Sequence, residues 1–146
     1  MEFQTSNGVI LSLPKSDLTE EIVFGDLVQI NPEDNKYIKS NEEYSPFIIG
    51  VCVDKPKKPA ITYYLNGINI ADNARSKDIN VLVSGIALIK IVGHVNVGDL
   101  LTSSEEIGRA KAVRYNNDHY NDGKIIGKVL QYTENEDEVI ALISVS

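Results

Sequence analysis

The chain has 146 residues, the size of one compact domain, and its 42% hydrophobic and 24% charged residues are typical of a globular rather than a disordered protein. Its formal net charge of −7 repels phosphate backbones, so the composition predicts no nucleic-acid partner. No apolar run is long enough to cross a bilayer, which predicts no membrane insertion, and the single cysteine, Cys52, excludes an internal disulfide and suits synthesis in a reducing cytoplasm.

Short apolar segments, each bounded by Gly, Asn, Asp, Ser or Pro, follow one another along the chain. They are rich in β-branched residues, which is typical of strands separated by turns. Helical periodicity is weak and predicts at most single turns at 15–21 and 102–106. The sequence therefore predicts an all-β fold with little helix. The predicted strands cover residues 8–13, 22–24, 47–53, 81–83, 86–92, 124–130 and 139–145.

Two connections carry hairpin signals. Asn66-Gly67 stands between the apolar runs 63–65 and 68–70, and Asn-Gly readily adopts the two positive φ angles of a type I′ turn. Residues 133–138, Thr-Glu-Asn-Glu-Asp-Glu, lie between the last two predicted strands. They predict an exposed, acidic hairpin loop.

Three landmarks recur in the same order in the two halves of the chain: an apolar strand after a glycine, a Gly-Asp-Leu turn, and an Ile-Ile-Gly segment. This repetition predicts a single domain, 1–146, built from duplicated β units at about 7–55 and 84–146 that form a compact barrel or sandwich-like core. Segment 56–77 has no counterpart and is predicted to be an inserted hairpin. The residues predicted to form structural turns are Gly25, Asp26, Gly50, Gly98, Asp99 and Gly127.

Asp26 and Asp99 invite two interpretations. They could form a catalytic carboxylate pair, or each could stabilise its own turn by accepting a hydrogen bond from a nearby amide, while the preceding glycine supplies a positive φ. Each aspartate occupies its own copy of the repeated motif. The repetition favours the structural role.

Other reactive residues give no catalytic pattern. A metal site built on His119 with Asp118 or Asp122 would need a third ligand from elsewhere in the chain. Cys52 is predicted to be buried, and the sequence shows neither a Cys-His-Asn framework nor a phosphate-binding loop nor a dinucleotide fingerprint. We therefore predict no metal, no cofactor and no enzymatic activity.

Six short motifs follow one another from about residue 22 onward: Gly-Asp-Leu-Val at 25–28, Ile-Ile-Gly-Val-Cys-Val at 48–53, Val-Ser-Gly-Ile-Ala-Leu-Ile-Lys-Ile at 83–91, Val-Gly-Asp-Leu-Leu-Thr-Ser at 97–103, Gly-Arg-Ala-Lys-Ala at 108–112 and Ile-Ile-Gly-Lys-Val-Leu at 125–130. This pattern resembles β-rich proteins of phage virions. Two groups share it. One is the capsid decoration or cement proteins, and the other is the C-terminal domains of tail fibres and tailspikes, some of which cleave themselves.

The resemblance implies a non-enzymatic structural or attachment protein of the virion, made in the cytoplasm of a bacterial host. It also implies that the chain acts as an oligomer, a homotrimer, and contacts other virion proteins. Whether it sits on the capsid surface or on a tail appendage stays open. The catalytic residues of the self-cleaving domains fall on no matching position here, so no active site is carried over.

Tyrosines in polar surroundings are the predicted contact residues, because their rings offer a rigid apolar face for a protein partner or for stacking on a sugar. The alternative function is accordingly a glycan-binding, receptor-recognition module of a tail fibre or of a bacterial or spore surface protein, with a host surface glycan as its ligand. The predicted interface residues are Tyr63, Tyr64 and Asn66 in the inserted hairpin, and Tyr115, His119 and Tyr120 in the polar loop 115–123.

Overall fold

The computed structural model describes residues 8–54, 78–113 and 125–145, and these ranges contain strands, turns and irregular segments but no helix. The predicted all-β class is confirmed. The two stretches expected to form single helical turns form none: residue 15 makes a β-bridge and residues 102–103 lie in a strand, and the rest of both stretches is turn or irregular. The nine strands in the described ranges are β1 (Val9–Pro14), β2 (Leu27–Asn31), β3 (Lys36–Lys39), β4 (Ile48–Cys52), β5 (Asp78–Lys90), β6 (Leu100–Ser103), β7 (Ala110–Ala112), β8 (Gly127–Tyr132) and β9 (Glu138–Ser144).

The strands form one curled antiparallel sheet, a half-barrel, in the order β3-β2-β4-β5-β9-β8-β6-β7, with β1 paired to β5. The segments predicted as separate strands at 81–83 and 86–92 form one long strand, β5. The strand predicted at 22–24 was wrong, because this segment leads into the turn at Phe24-Gly25. The acidic loop predicted after β8 is confirmed, and its residues 134–137 are exposed.

Strand β5 changes partners near its middle. Residues 78–84 pair with β1 and, at 81–82, with β4, whereas residues 84–90 pair with β9. The order β3-β2-β4-β5-β1 on one side of this point therefore matches the order β7-β6-β8-β9-β5 on the other. An isolated parallel bridge joins the two ends of each order, Lys15 to Tyr37 in one and Ile91 to Ala110 in the other.

The pairing registers also match residue by residue. Val28 lies opposite Gly50 between β2 and β4, and Leu101 lies opposite Gly127 between β6 and β8. We therefore retain the interpretation of two related units, but with different boundaries. Residues 78–84 of β5 belong to the first unit, where they take the place that β9 has in the second. Below, the first unit is 9–84 and the second is 84–144. The predicted insertion, residues 56–77, lies outside the described residues.

The two units share a core. One apolar cluster combines Leu27, Val51 and Leu82 of the first unit with Ala87 and Ile143 of the second. Each of these side chains is essentially inaccessible to water, and burying one leucine contributes about 1.5–3 kcal/mol. A second, smaller cluster lies within the first unit. Because the larger cluster draws on both units, neither unit buries its apolar face alone. The smaller cluster contains Ile22, Val28, Cys52, Ile79 and Val81.

Candidate protein-contact surface

The two Gly-Asp pairs lie in turns of the same geometry. Gly25 and Gly98 have φ angles of 92° and 93°, in the left-handed region that glycine adopts without strain. One carboxylate oxygen of Asp26 accepts the N–H of Val23 at 2.8 Å, and the corresponding oxygen of Asp99 accepts the N–H of Asn96 at 2.8 Å. Each aspartate therefore closes its own turn.

Gly50 and Gly127 do not form turns, so this part of the prediction was wrong. Both lie within strands, β4 and β8. A Cβ on Gly50 would lie 2.1 Å from the carbonyl oxygen of Leu82, and one on Gly127 would lie 2.4 Å from that of Leu142. The Ile-Ile-Gly motif therefore marks close backbone approach inside the sheet.

Asp26 also joins the two units electrostatically. Its side chain is 3% exposed, and its carboxylate lies 3.4 Å from the Lys39 ammonium of the first unit and 2.9 Å from the Lys90 ammonium of the second. The N–H of Leu27 donates to the carbonyl of Gly108 at 3.0 Å beside this cluster. These contacts give Asp26 a role in holding the units together.

Asp99 has different surroundings. Its side chain is half-buried. Its backbone carbonyl accepts the N–H of Val129 in β8 at 2.9 Å. Asp26 is surrounded by Lys39, Lys90 and Gly108 instead. The arrangement therefore favours two separate structural aspartates over a carboxylate pair.

Cys52 is fully buried in the first-unit cluster. Burial raises the pKa of its thiol, and the nearby Asp54 carboxylate raises this pKa further. Because the thiolate is the nucleophilic form, we expect Cys52 to resist alkylation by iodoacetamide at pH 8 in the folded protein and to react readily in 6 M urea. Mass spectrometry of both samples measures this, and rapid labelling of the folded chain would contradict the buried position.

An apolar groove opens beside β1. It has a volume of about 610 Å³, and the described residues that line it carry three hydroxyl groups and no charge. We call it the β1 groove. It is lined by Leu11, Leu13, Tyr37, Ile48, Ile49, Val83, Ser84, Ser144 and Val145.

Exposed apolar side chains extend the groove. Val9, paired with Ser84, is 48% exposed, and Leu11 in the groove itself is 44% exposed. Phe47, which directly precedes the groove residue Ile48, is 39% exposed. Contiguous exposed apolar surface of this kind marks a contact site for another molecule.

A second, polar cleft lies near the end of β5. It has a volume of about 430 Å³, and Arg109 lines it together with the acidic residues Glu106, Glu136 and Asp137. The Arg109 guanidinium donates to the carbonyl oxygens of Ile91 at 3.0 Å and Asp137 at 3.2 Å. The main chain thus holds this arginine in a structural position.

Residues 8–54, 78–113 and 125–145 bring together no group of three or more His, Cys, Asp or Glu side chains able to hold a metal ion. Among the described residues, no helix is long and apolar enough to cross a membrane. The predicted interface residues Tyr63, Tyr64, Asn66, Tyr115, His119 and Tyr120 lie outside the described ranges, so their role stays a prediction.

No protein-family model and no curated protein sequence matches the chain. The candidate surface is therefore assigned from its own residues. Sequence reasoning missed the β1 groove, although one signal was present: β1 reads Val-Ile-Leu-Ser-Leu, with apolar residues on both faces of a strand, where a strand with one solvated face would alternate.

Proposed function

We propose that the chain is a non-enzymatic structural protein of a phage virion, located on the capsid surface or on a tail appendage. It acts as a homotrimer and contacts other virion proteins. The observation that carries the proposal is the β1 groove together with the exposed Val9 and Phe47 beside it. The position in a virion rests on the resemblance of the sequence motifs to phage proteins.

The charge distribution supports self-association at this surface. Copies of a chain with a net charge of −7 repel one another wherever acidic surfaces meet. Among the described residues, those that line the β1 groove carry no charge, so a neighbour can approach there without that cost. Its larger side chains, Leu11 and Tyr37, are suited to act as the few anchors that dominate the affinity of such contacts.

One observation favours the alternative, a glycan-binding module. Tyr37 lines the groove together with Ser84 and Ser144, and an aromatic ring beside hydroxyl groups can stack on a sugar and bond its hydroxyls. Under this alternative the groove of each copy stays open to solvent. Retention of the chain on a glycan array, lost in Tyr37→Ala, is the expected result of that function.

Mass and binding measurements test the structural function. Sedimentation equilibrium should give three times the mass of the 16.1-kDa chain. The protein should also pellet with purified capsids or with purified tails of the phage, and the fraction that pellets identifies its location. A monomer that pellets with neither particle would overturn the proposal.

A further inference from the structure

One row of side chains across the sheet is buried in the first unit and open in the second. In the first unit, Leu27, Val51 and Leu82 lie opposite one another across three strands and are fully buried. The matching row in the second unit is Leu100, Lys128 and Leu142. We call it the second-unit row. Leu100 is half-buried, Lys128 is exposed and Leu142 is 44% exposed.

On the opposite sheet face the two units differ at β1, because the first unit buries Val81 of β5 there but leaves β1 itself open. Leu11 pairs with Val81 in the first unit, and Ala87 pairs with Ala141 at the matching place in the second. Leu11 is 44% exposed, whereas Ala87 is fully buried. Next along the same strands, Leu13 is half-buried and its counterpart Ile89 is fully buried.

The residues of the two isolated parallel bridges show the same difference in burial. Tyr37, bridged to Lys15, is half-buried in the β1 groove, whereas Ala110, bridged to Ile91, is fully buried. The first unit thus buries the row Leu27, Val51 and Leu82 and leaves β1 open to solvent. The second unit buries the strand positions that correspond to β1 and leaves the second-unit row open to solvent. Contacts between two unlike surfaces of related units are head-to-tail contacts.

The β1 groove is also continuous with the interface between the units. Ile48 lines the groove and belongs to the cluster that spans both units, and Val145 lines the groove and packs against that cluster. The apolar core between the units therefore reaches the surface at the groove. A neighbour seated there extends an interface that the chain already contains.

We propose that the occupant of the β1 groove is a second copy of this chain, bound head to tail, whose second-unit row inserts Leu142 and Leu100 into the groove. This inference rests on the self-association in the proposed function and assigns the two surfaces that meet. Because each copy has one groove and one row, such contacts close into rings or extend as filaments. A three-membered ring is the form that agrees with the proposed homotrimer.

Two variants and a matched control test the contact. Leu11→Glu places a charge in the groove, and Leu142→Glu places one in the row; the two leucines are equally exposed, at 44%. Ile107→Glu alters an apolar side chain that is 53% exposed and belongs to neither surface. Circular dichroism checks that each variant keeps its β signal, and sedimentation velocity measures the mass.

We expect a trimer for the unchanged chain and for Ile107→Glu, and monomers for Leu11→Glu and Leu142→Glu. Mixing the two monomeric variants should give a one-to-one dimer that grows no further, because only one intact groove and one intact row remain. A symmetric groove-to-groove contact gives no such dimer, so a mixture that stays monomeric at tenfold the concentration that assembles the unchanged chain overturns the inference.

The outcomes separate this inference from the function on which it rests. If both glutamate variants keep the trimer mass, the head-to-tail contact is wrong and the structural function stands. If the unchanged chain is monomeric and pellets with neither capsids nor tails, both are wrong. Release of a bound sugar or another protein from the unchanged groove, with no self-association, also overturns the contact.

Discussion

Gly50→Ala is expected to destabilise the fold strongly. The added methyl carbon would lie 2.1 Å from the carbonyl oxygen of Leu82 and 2.9 Å from a side-chain carbon of Val81. The first atom belongs to the backbone of the central strand β5, so β4 and β5 must separate for the contact to be relieved. We expect a loss of about 3 kcal/mol or more in the free energy of unfolding, a large part of the stability of a domain this size. Urea denaturation followed by circular dichroism measures it.

Gly98→Ala is the matched control. Gly98 has a φ of 93°, but an added Cβ would meet no atom within 4 Å. Its cost is limited to the left-handed backbone, about 1–2 kcal/mol. Gly127→Ala should behave like Gly50→Ala, because its Cβ would lie 2.4 Å from the carbonyl oxygen of Leu142. Equal urea midpoints for Gly50→Ala and Gly98→Ala would show that close strand approach is not the reason for glycine at position 50.

The strands were predictable because their signals are local. Segments 47–53 and 139–145 carry enough β-branched residues between turn formers to mark β4 and β9 within two residues. Gly50 shows where local reasoning stops. A glycine beside two isoleucines indicates a turn or a close approach equally well, and only the pairing of β4 with β5 decides between them.

The candidate surface was less predictable for a related reason. Leu11 and Ala87 hold matching places in their units, yet one is half-exposed and the other buried. The difference arises because β5 continues from one unit into the other and is covered on both faces, whereas β1 lies at the periphery. Exposure at these positions therefore depends on how the units are joined, which no repeat within the sequence expresses.

Asp26→Ala is expected to lower the free energy of unfolding by about 3 kcal/mol, because it removes a nearly buried carboxylate that serves three partners. Lys39 and Lys90 would be left close together without their shared counter-ion, and the N–H of Val23 would lose its acceptor. The lysines are 16% and 25% exposed, so partial hydration limits the loss. Urea denaturation at one fixed protein concentration measures the change.

Asp99→Ala provides the comparison within the same chain. It removes the equivalent turn hydrogen bond, to the N–H of Asn96, from a half-buried position. We expect it to cost about 1 kcal/mol, the usual net value of one such bond. Asp26→Asn should fall between the two, since it keeps an acceptor for Val23 but loses the charge that pairs with both lysines. If Asp26→Ala and Asp99→Ala were equally stable, the two aspartates would be turn residues alike, and the link between the units would have to come from the shared apolar core.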